Sequence, residues 1–282
     1  MTDTGSGGSG SGNTAFNRFV AVGDSFAEGV GDVEPRCPNG VRGWADRVAE
    51  VLARRDPQFR YANLALRGRL LPAIVDEQLE PAVAMAPDLV AVCAGANDLI
   101  RPSVDIDALI EQYDAAIGRL QDAGATVVTF TAYDTGGTPV FGALRGRLAI
   151  YNELLREAVD RRNRPASGLS APAVVLVDFW RMHEYSERRM WEFDRMHLSS
   201  AGHQRMAIGI LDALGIDHDL KPIEFVGSMA MSPAELRKNT RQWTHQYALP
   251  WVGRRLRGVS SGDYLDPKYP ELTQLMPIDP EH

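Results

Sequence analysis

The sequence predicts an α/β domain built on a parallel sheet with helices on both faces. Short apolar or β-branched runs alternate with amphipathic stretches of helical period from about residue 18 to residue 217. One of the runs, residues 89–94, is apolar without interruption, the pattern of a strand covered on both sides. The chain has 282 residues, 44% of them apolar, and a chain of this length buries roughly 75% of the surface that its unfolded form exposes.

The elements follow in order. Residues 19–22 are the first strand, ended by Gly23, and residues 43–55 place Trp44, Val48, Val51 and Leu52 on one helical face. Residues 59–64 read as the second strand, 71–85 as a helix and 89–94 as the third strand. Ile106, Leu109, Ile110, Tyr113, Ile117 and Leu120 trace an amphipathic helix stopped by Gly124. Residues 126–131 are the fourth strand and 173–177 the fifth; between them Leu144, Leu148, Tyr151, Leu155 and Val159 mark a helix. A last helix carries Ala207, Ile210, Leu211 and Leu214 and closes at Gly215.

Three segments result. Residues 1–17 form a Gly/Ser-rich leader expected to be disordered, because Gly and Ser bury nothing that offsets ordering entropy. Residues 18–218 form the α/β domain. Residues 219–282 show scattered Pro, Trp243, Tyr247 and Trp251, and no convincing strand. They read as an extension packed on the domain, with one or two helices near 232–248.

Charge and composition narrow the function. Lys and Arg number 30 against 37 Asp and Glu, a net charge of −7, which disfavours a nucleic-acid partner. Cys37 and Cys93 make no disulfide framework and no metal-ligand spacing, and no apolar run nears the ~20 residues that span a bilayer. Asp24, Asp98, Asp178 and Asp194 lack partners at ligand spacing, so no metal site is expected. With no secretory pattern at the start, the expected location is cytoplasmic. Oligomeric state is not legible.

In an open parallel sheet, ligands bind beyond the carboxyl ends of the strands. Four such turns hold Gly23-Asp24-Ser25-Phe26, then Asn63 with Gly68, then Gly95-Ala96-Asn97-Asp98, and finally Asp194-Arg195-Met196-His197. This set suits acyl transfer. Serine is a weak nucleophile unless a base takes its proton, and histidine serves as that base and then as an acid. A carboxylate on the second imidazole nitrogen fixes the tautomer. The amides of Ser25 and Gly68 and the carboxamide of Asn97 are suitable donors to an oxyanion.

The blocks FVAVGDSF (19–26), Gly68, GAND (95–98) and DRMH (194–197) resemble those of the SGNH/GDSL hydrolases, over about residues 17–217. The stretches GDSFAEGVGD and RGWADRVAE look like the actinobacterial intracellular branch of that family. Phe26 stands where the family name has Leu, and the block around Gly68 is looser than the usual pattern. The resemblance implies a flavodoxin-like three-layer α/β/α sandwich, a five-stranded parallel sheet of order 2-1-3-4-5, and esterase, lipase or carbohydrate-deacetylase activity without a cofactor. It also implies Ser25 as nucleophile, His197 as base, Asp194 as its orienting acid, and Ser25, Gly68 and Asn97 as the oxyanion hole. The implied partner is a small-molecule ester. Trp180, Trp191 and Tyr133, in the loops after the fourth and fifth strands, are candidates to line the substrate pocket.

Competing readings exist for each residue. Ser25 is a good helix cap, Asn97-Asp98 suits an ordinary turn, and most of the six histidines must be structural. Gly258 to Gly262 matches the G-x-S-x-G nucleophile elbow, but Asp263 to Pro270 carries two prolines and no helical period. Gly29 and Gly31 belong to no phosphate-binding motif. An acyltransferase using the same residues, or a catalytically silent ligand-binding module on the same scaffold, are the alternatives.

Overall fold

A computed structural model of the chain describes residues 16–136, 142–164, 172–227, 232–250, 253 and 260–278. Most of the leader, the end of the loop after the fourth strand, Trp251, and Gly258-Val259 lie outside the described residues.

Five strands are parallel: β1 (Arg18–Gly23), β2 (Arg60–Asn63), β3 (Leu89–Cys93), β4 (Thr126–Phe130) and β5 (Val174–Val177). Side chains alternate across the sheet, so each strand feeds two cores. Phe19, Ala21, Leu89, Ala91, Val128 and Phe130 pack on one face with helices α2 (Gly43–Arg55) and α8 (Ser200–Ala213). Val20, Val22, Val90, Val92 and Val127 pack on the other with α6 (Ile106–Asp122) and α7 (Arg145–Asn163). The helix expected over 71–85 comes in pieces: α3 (Leu71–Ile74), a π turn (Val75–Leu79) and α4 (Glu80–Ala84). That turn brings Gln78 onto the end of β1, where its side chain accepts from the Gly23 amide (2.7 Å) and donates to the Gly23 carbonyl (3.0 Å).

The expected five strands and their order hold, but the sheet has six, in the order β5-β4-β3-β1-β2-β6. The sixth, β6 (Tyr269–Thr273), comes from the segment read as strandless and runs antiparallel to β2. Its sequence, YPELT, hides it: Pro270 removes a ladder donor and two of its five residues face solvent, which suits only an edge strand. The same extension forms a helix, α9 (Pro233–Trp243), opened by a Ser232/Glu235 capping box.

Candidate active site

The first turn is shaped before any chemistry is considered. Gly23 sits at φ +147°, and a Cβ there would collide with the carbonyl of Cys93 on β3. Asp24 follows as the N-cap of the one-turn helix α1 (Ser25–Glu28), accepting from the Phe26 amide at 3.0 Å. The capping role open to Ser25 is therefore filled by its neighbour, and Ser25 begins the helix. Phe26 is a packing residue, 5.6–5.9 Å from Trp44, Phe130 and Phe179 by ring centroid.

Asp24 also receives the third block. Asn97, on the short helix α5 (Ala96–Leu99), donates from Nδ2 to Asp24 (3.0 Å) and to the Arg69 carbonyl (3.1 Å). Asp98 accepts from the Leu71 amide at 3.0 Å, pinning the chain just past Gly68. Gly68 itself has φ +81°, available to glycine at little cost. Before it, Arg67 donates from its amide to the buried Glu28 carboxylate (2.7 Å) and adds its guanidinium to the same group. The turns bearing Ser25, Gly68 and Asn97 are thus one hydrogen-bonded unit.

The fourth block is a tight turn closed by Glu192 donating to the His197 carbonyl (2.8 Å), with Arg195 in the left-handed region at φ +61°. The Asp194 side chain accepts from the Met196 and His197 amides (2.9 and 3.0 Å) and meets the His197 ring at Nδ1, 2.6 Å away. Burial pushes the Asp194 carboxyl up, but the His197 ring and those two amides outweigh it and hold the group below its ordinary value.

Two links join this block to the first. Gly31, at φ +104°, packs so closely that a Cβ would collide with the Leu198 carbonyl and lie 3.2 Å from the His197 Cβ. Asp32 and Arg47 form a buried ion pair at 2.7 Å, and Arg47 continues to Ser200 (2.9 Å) at the start of α8. His197 is near enough for its charge to act on Asp24, whose carboxyl burial raises to about 6, against opposition from the Phe26 amide and then His197.

The remaining assignments divide. Tyr133 and Trp191 come together, 4.6 Å between rings, each donating to the Tyr185 carbonyl (3.0 and 2.7 Å). Trp180 packs with the opposite core, the Arg145 guanidinium 5.5 Å over its ring. His203 is a core histidine, with Trp44 donating to Nδ1 (3.2 Å) and Nε2 on the Val30 carbonyl (3.2 Å). Ser260, the serine of the elbow-like motif, spends its hydroxyl on the Arg67 carbonyl (2.8 Å). Among the described residues there is no cluster suited to a metal ion, and no helix long and apolar enough to cross a membrane. A surface groove of about 440 Å³ between α6 and α7, lined by Asp107, Glu111, Asp114 and Arg161, includes none of the four blocks.

Comparison with known proteins agrees with this layout. Residues 21–205 match the GDSL-like lipase/acylhydrolase family, a span that takes in Ser25, Gly68, Asn97, Asp194 and His197. The chain belongs to that family. Carboxylic ester hydrolysis is the chemistry that goes with membership. No curated protein sequence matches the chain. Among solved structures it is similar to an α/β hydrolase from the metagenome of Lake Arreo, Spain, at 21% identity and TM-score 0.57, covering 72% of this chain and 97% of that one. It is also similar to an acetylxylan esterase from Geobacillus stearothermophilus, at 18% identity and TM-score 0.55, covering 71% and 95%. These likenesses concern the fold.

Sequence reasoning passed over Gly31 except to dismiss a phosphate loop, and gave no role to Trp243. The indole of Trp243, 6% exposed, donates to the Asp194 carbonyl at 2.7 Å and lies 5.0 Å under the Arg195 guanidinium. Gly31 carries a readable signal, a glycine six residues past the serine. Trp243 carries none, because its partner is a backbone atom 49 residues away.

Proposed function

We propose that this GDSL-family chain is a serine hydrolase that cleaves small esters, including acetyl esters of sugars, through an acyl-enzyme on Ser25. The observation that carries the reading is the division of labour at one sheet edge. Asp24 caps the helix and leaves the Ser25 hydroxyl for other work, while the Asp194–His197 pair at 2.6 Å supplies an oriented imidazole.

His197 takes the Ser25 proton through Nε2 as the hydroxyl attacks the ester carbonyl. Asp194 on Nδ1 keeps the proton on that nitrogen and stabilises the imidazolium. The amides of Ser25 and Gly68 and the Asn97 carboxamide receive the oxyanion. His197 then protonates the departing alcohol, and in the second half-reaction it activates water to release the acid. Both Nδ2 protons of Asn97 are committed before substrate arrives, to Asp24 and to the Arg69 carbonyl, so one of these two bonds is exchanged for the oxyanion as it forms. No step needs a cofactor.

Tyr133 and Trp191 form the proposed pocket wall; Trp180, on the other side of the sheet, is left out of it. The acetylxylan esterase among the similar structures makes acetylated xylo-oligosaccharides the first substrates to try. A cytoplasmic setting and kinship with the actinobacterial intracellular branch complete the proposal, and cell fractionation checks the former. The test is a panel of p-nitrophenyl esters and acetylated sugars with wild type, Ser25→Ala and Ser25→Ala/His197→Ala. Turnover should collapse in the single variant and fall little further in the double, because the members of such a set act as a unit. Near-normal turnover by Ser25→Ala overturns the reading.

A further inference from the structure

The helix that carries Ser25 is four residues long. One turn of helix does not hold itself in water, because the first hydrogen-bonded turn fixes many dihedrals for one bond. Besides the Asp24 cap, its last carbonyl is held by Lys268, which lies beyond the family-matched residues 21–205, just before the edge strand β6 of the carboxyl-terminal arm.

Lys268 is 4% exposed, and the three protons of its ammonium have three acceptors. One is the carbonyl of Glu28, the last residue of the nucleophile's helix (3.0 Å). The second is the carbonyl of Arg42, just before α2 (2.8 Å), and the third is the buried carboxylate of Asp46 on α2, which also accepts from the Tyr61 hydroxyl at 3.0 Å. The ammonium therefore ties the end of α1 to the start of α2. Gly29 and Gly43 touch at this junction, where neither has room for a Cβ.

The arm reaches the neighbouring turn too. Ser260 donates to the Arg67 carbonyl and fills the space over Gly68 that a Cβ would occupy. Asp263 pairs with Arg69 at 2.8 Å, and Asn39 donates to the Asp266 carbonyl at 3.1 Å. The Glu28 side chain holds Arg67 while Lys268 holds the Glu28 carbonyl, so one residue of the arm bears on both Ser25 and the Gly68 turn.

We propose that Lys268 is a positioning residue for the nucleophile: it sets α1 through the Glu28 and Arg42 carbonyls, and the carboxyl-terminal arm thereby completes the bracing of a site built from residues 21–205. This rests on Ser25 being the nucleophile.

The test separates positioning from mere stability. Lys268→Met removes the ammonium and strands the Asp46 carboxylate, so it lowers both Tm and kcat. Lys268→Met/Asp46→Asn leaves no unpaired buried charge, and most of the Tm returns. The two carbonyls are still unheld, so kcat stays about tenfold or more below wild type with KM within about threefold, the signature of a misplaced group. Hydrogen exchange at the Gly29 and Val30 amides, which bond the Ser25 carbonyl, is faster in both variants than in wild type. Recovery of kcat along with Tm in the double variant overturns the proposal, as does unchanged exchange over residues 25–31. If Ser25→Ala turns over normally, the nucleophile assignment has failed; the exchange measurement still reports whether Lys268 orders α1.

Discussion

Gly31→Ala probes the contact that seats the His197 turn against the nucleophile's loop. The new Cβ would fall about 1 Å inside the 3.0 Å that Cβ atoms keep from their neighbours, with the Leu198 carbonyl as the obstacle and His197 Cβ 3.2 Å away. Backbone cannot bend aside like a flexible side chain, so residues 197–198 must retreat by about 1 Å, a displacement that costs on the order of 10²-fold in rate. Holding alanine at φ +104° adds strain of about 1–3 kcal/mol. Gly40→Ala is the control: φ is +67°, and nothing lies within 4 Å of its Cβ position. It carries comparable strain and no collision. Steady-state hydrolysis of p-nitrophenyl acetate and thermal unfolding, run on both variants, separate the two effects. Both should lose a few degrees of Tm, at about 2–4 °C per kcal/mol, while only Gly31→Ala loses about 10²-fold in kcat. If Gly31→Ala keeps kcat within about threefold of wild type, or Gly40→Ala loses as much, the seating of His197 by this contact is refuted.

Two more expectations follow from the hydrogen bonds and burial. Asn97→Ala should cost about 10²–10³ in kcat with a small change in KM, the size of one oxyanion donor, and stopped assays over a substrate series check it. His203 bears on acid stability: burial lowers its pKa from 6.5 to about 4, with Asp32 opposing. The unfolded chain thus takes up this proton near 6.5 and the folded chain only near 4, so acid favours unfolding across that window. The cost approaches about 3 kcal/mol at its lower end. The physical cause is local, since the ring's two nitrogens are committed to the Trp44 amide and the Val30 carbonyl, an arrangement that only a neutral imidazole satisfies. The Tm advantage of wild type over His203→Gln should therefore shrink between pH 7 and pH 4.5; an advantage that does not change with pH contradicts the assignment.

The parallel strands were legible because each is a short apolar run with helical period on either side. The site was legible for a related reason: a parallel sheet gathers the turn after each strand at one edge, so Ser25, Asn97 and His197 needed no contact prediction to be grouped. The number of strands was not. Edge strand β6 is built from YPELT, whose Pro and exposed residues match a loop as well as a strand, and only the open side of β2 makes it one. Trp180 and Trp191 are alike in sequence, yet Trp180 packs with the core on the α6/α7 face while its neighbour Phe179 and Trp191 pack with Tyr133, a split that the sequence does not mark. Lys268 was invisible for a third reason. Its partners are two carbonyls and a carboxylate more than 200 residues earlier, and backbone acceptors leave no mark in a sequence.

The most direct measurement is covalent labelling with a fluorophosphonate, followed by intact mass and peptide mapping. An activated serine should take one label per chain, on the peptide that holds Ser25. Labelling should vanish in Ser25→Ala and slow by orders of magnitude in His197→Ala. A label on Ser260 or elsewhere, or none on a folded wild-type chain, would contradict the assignment of Ser25 and His197 as nucleophile and base.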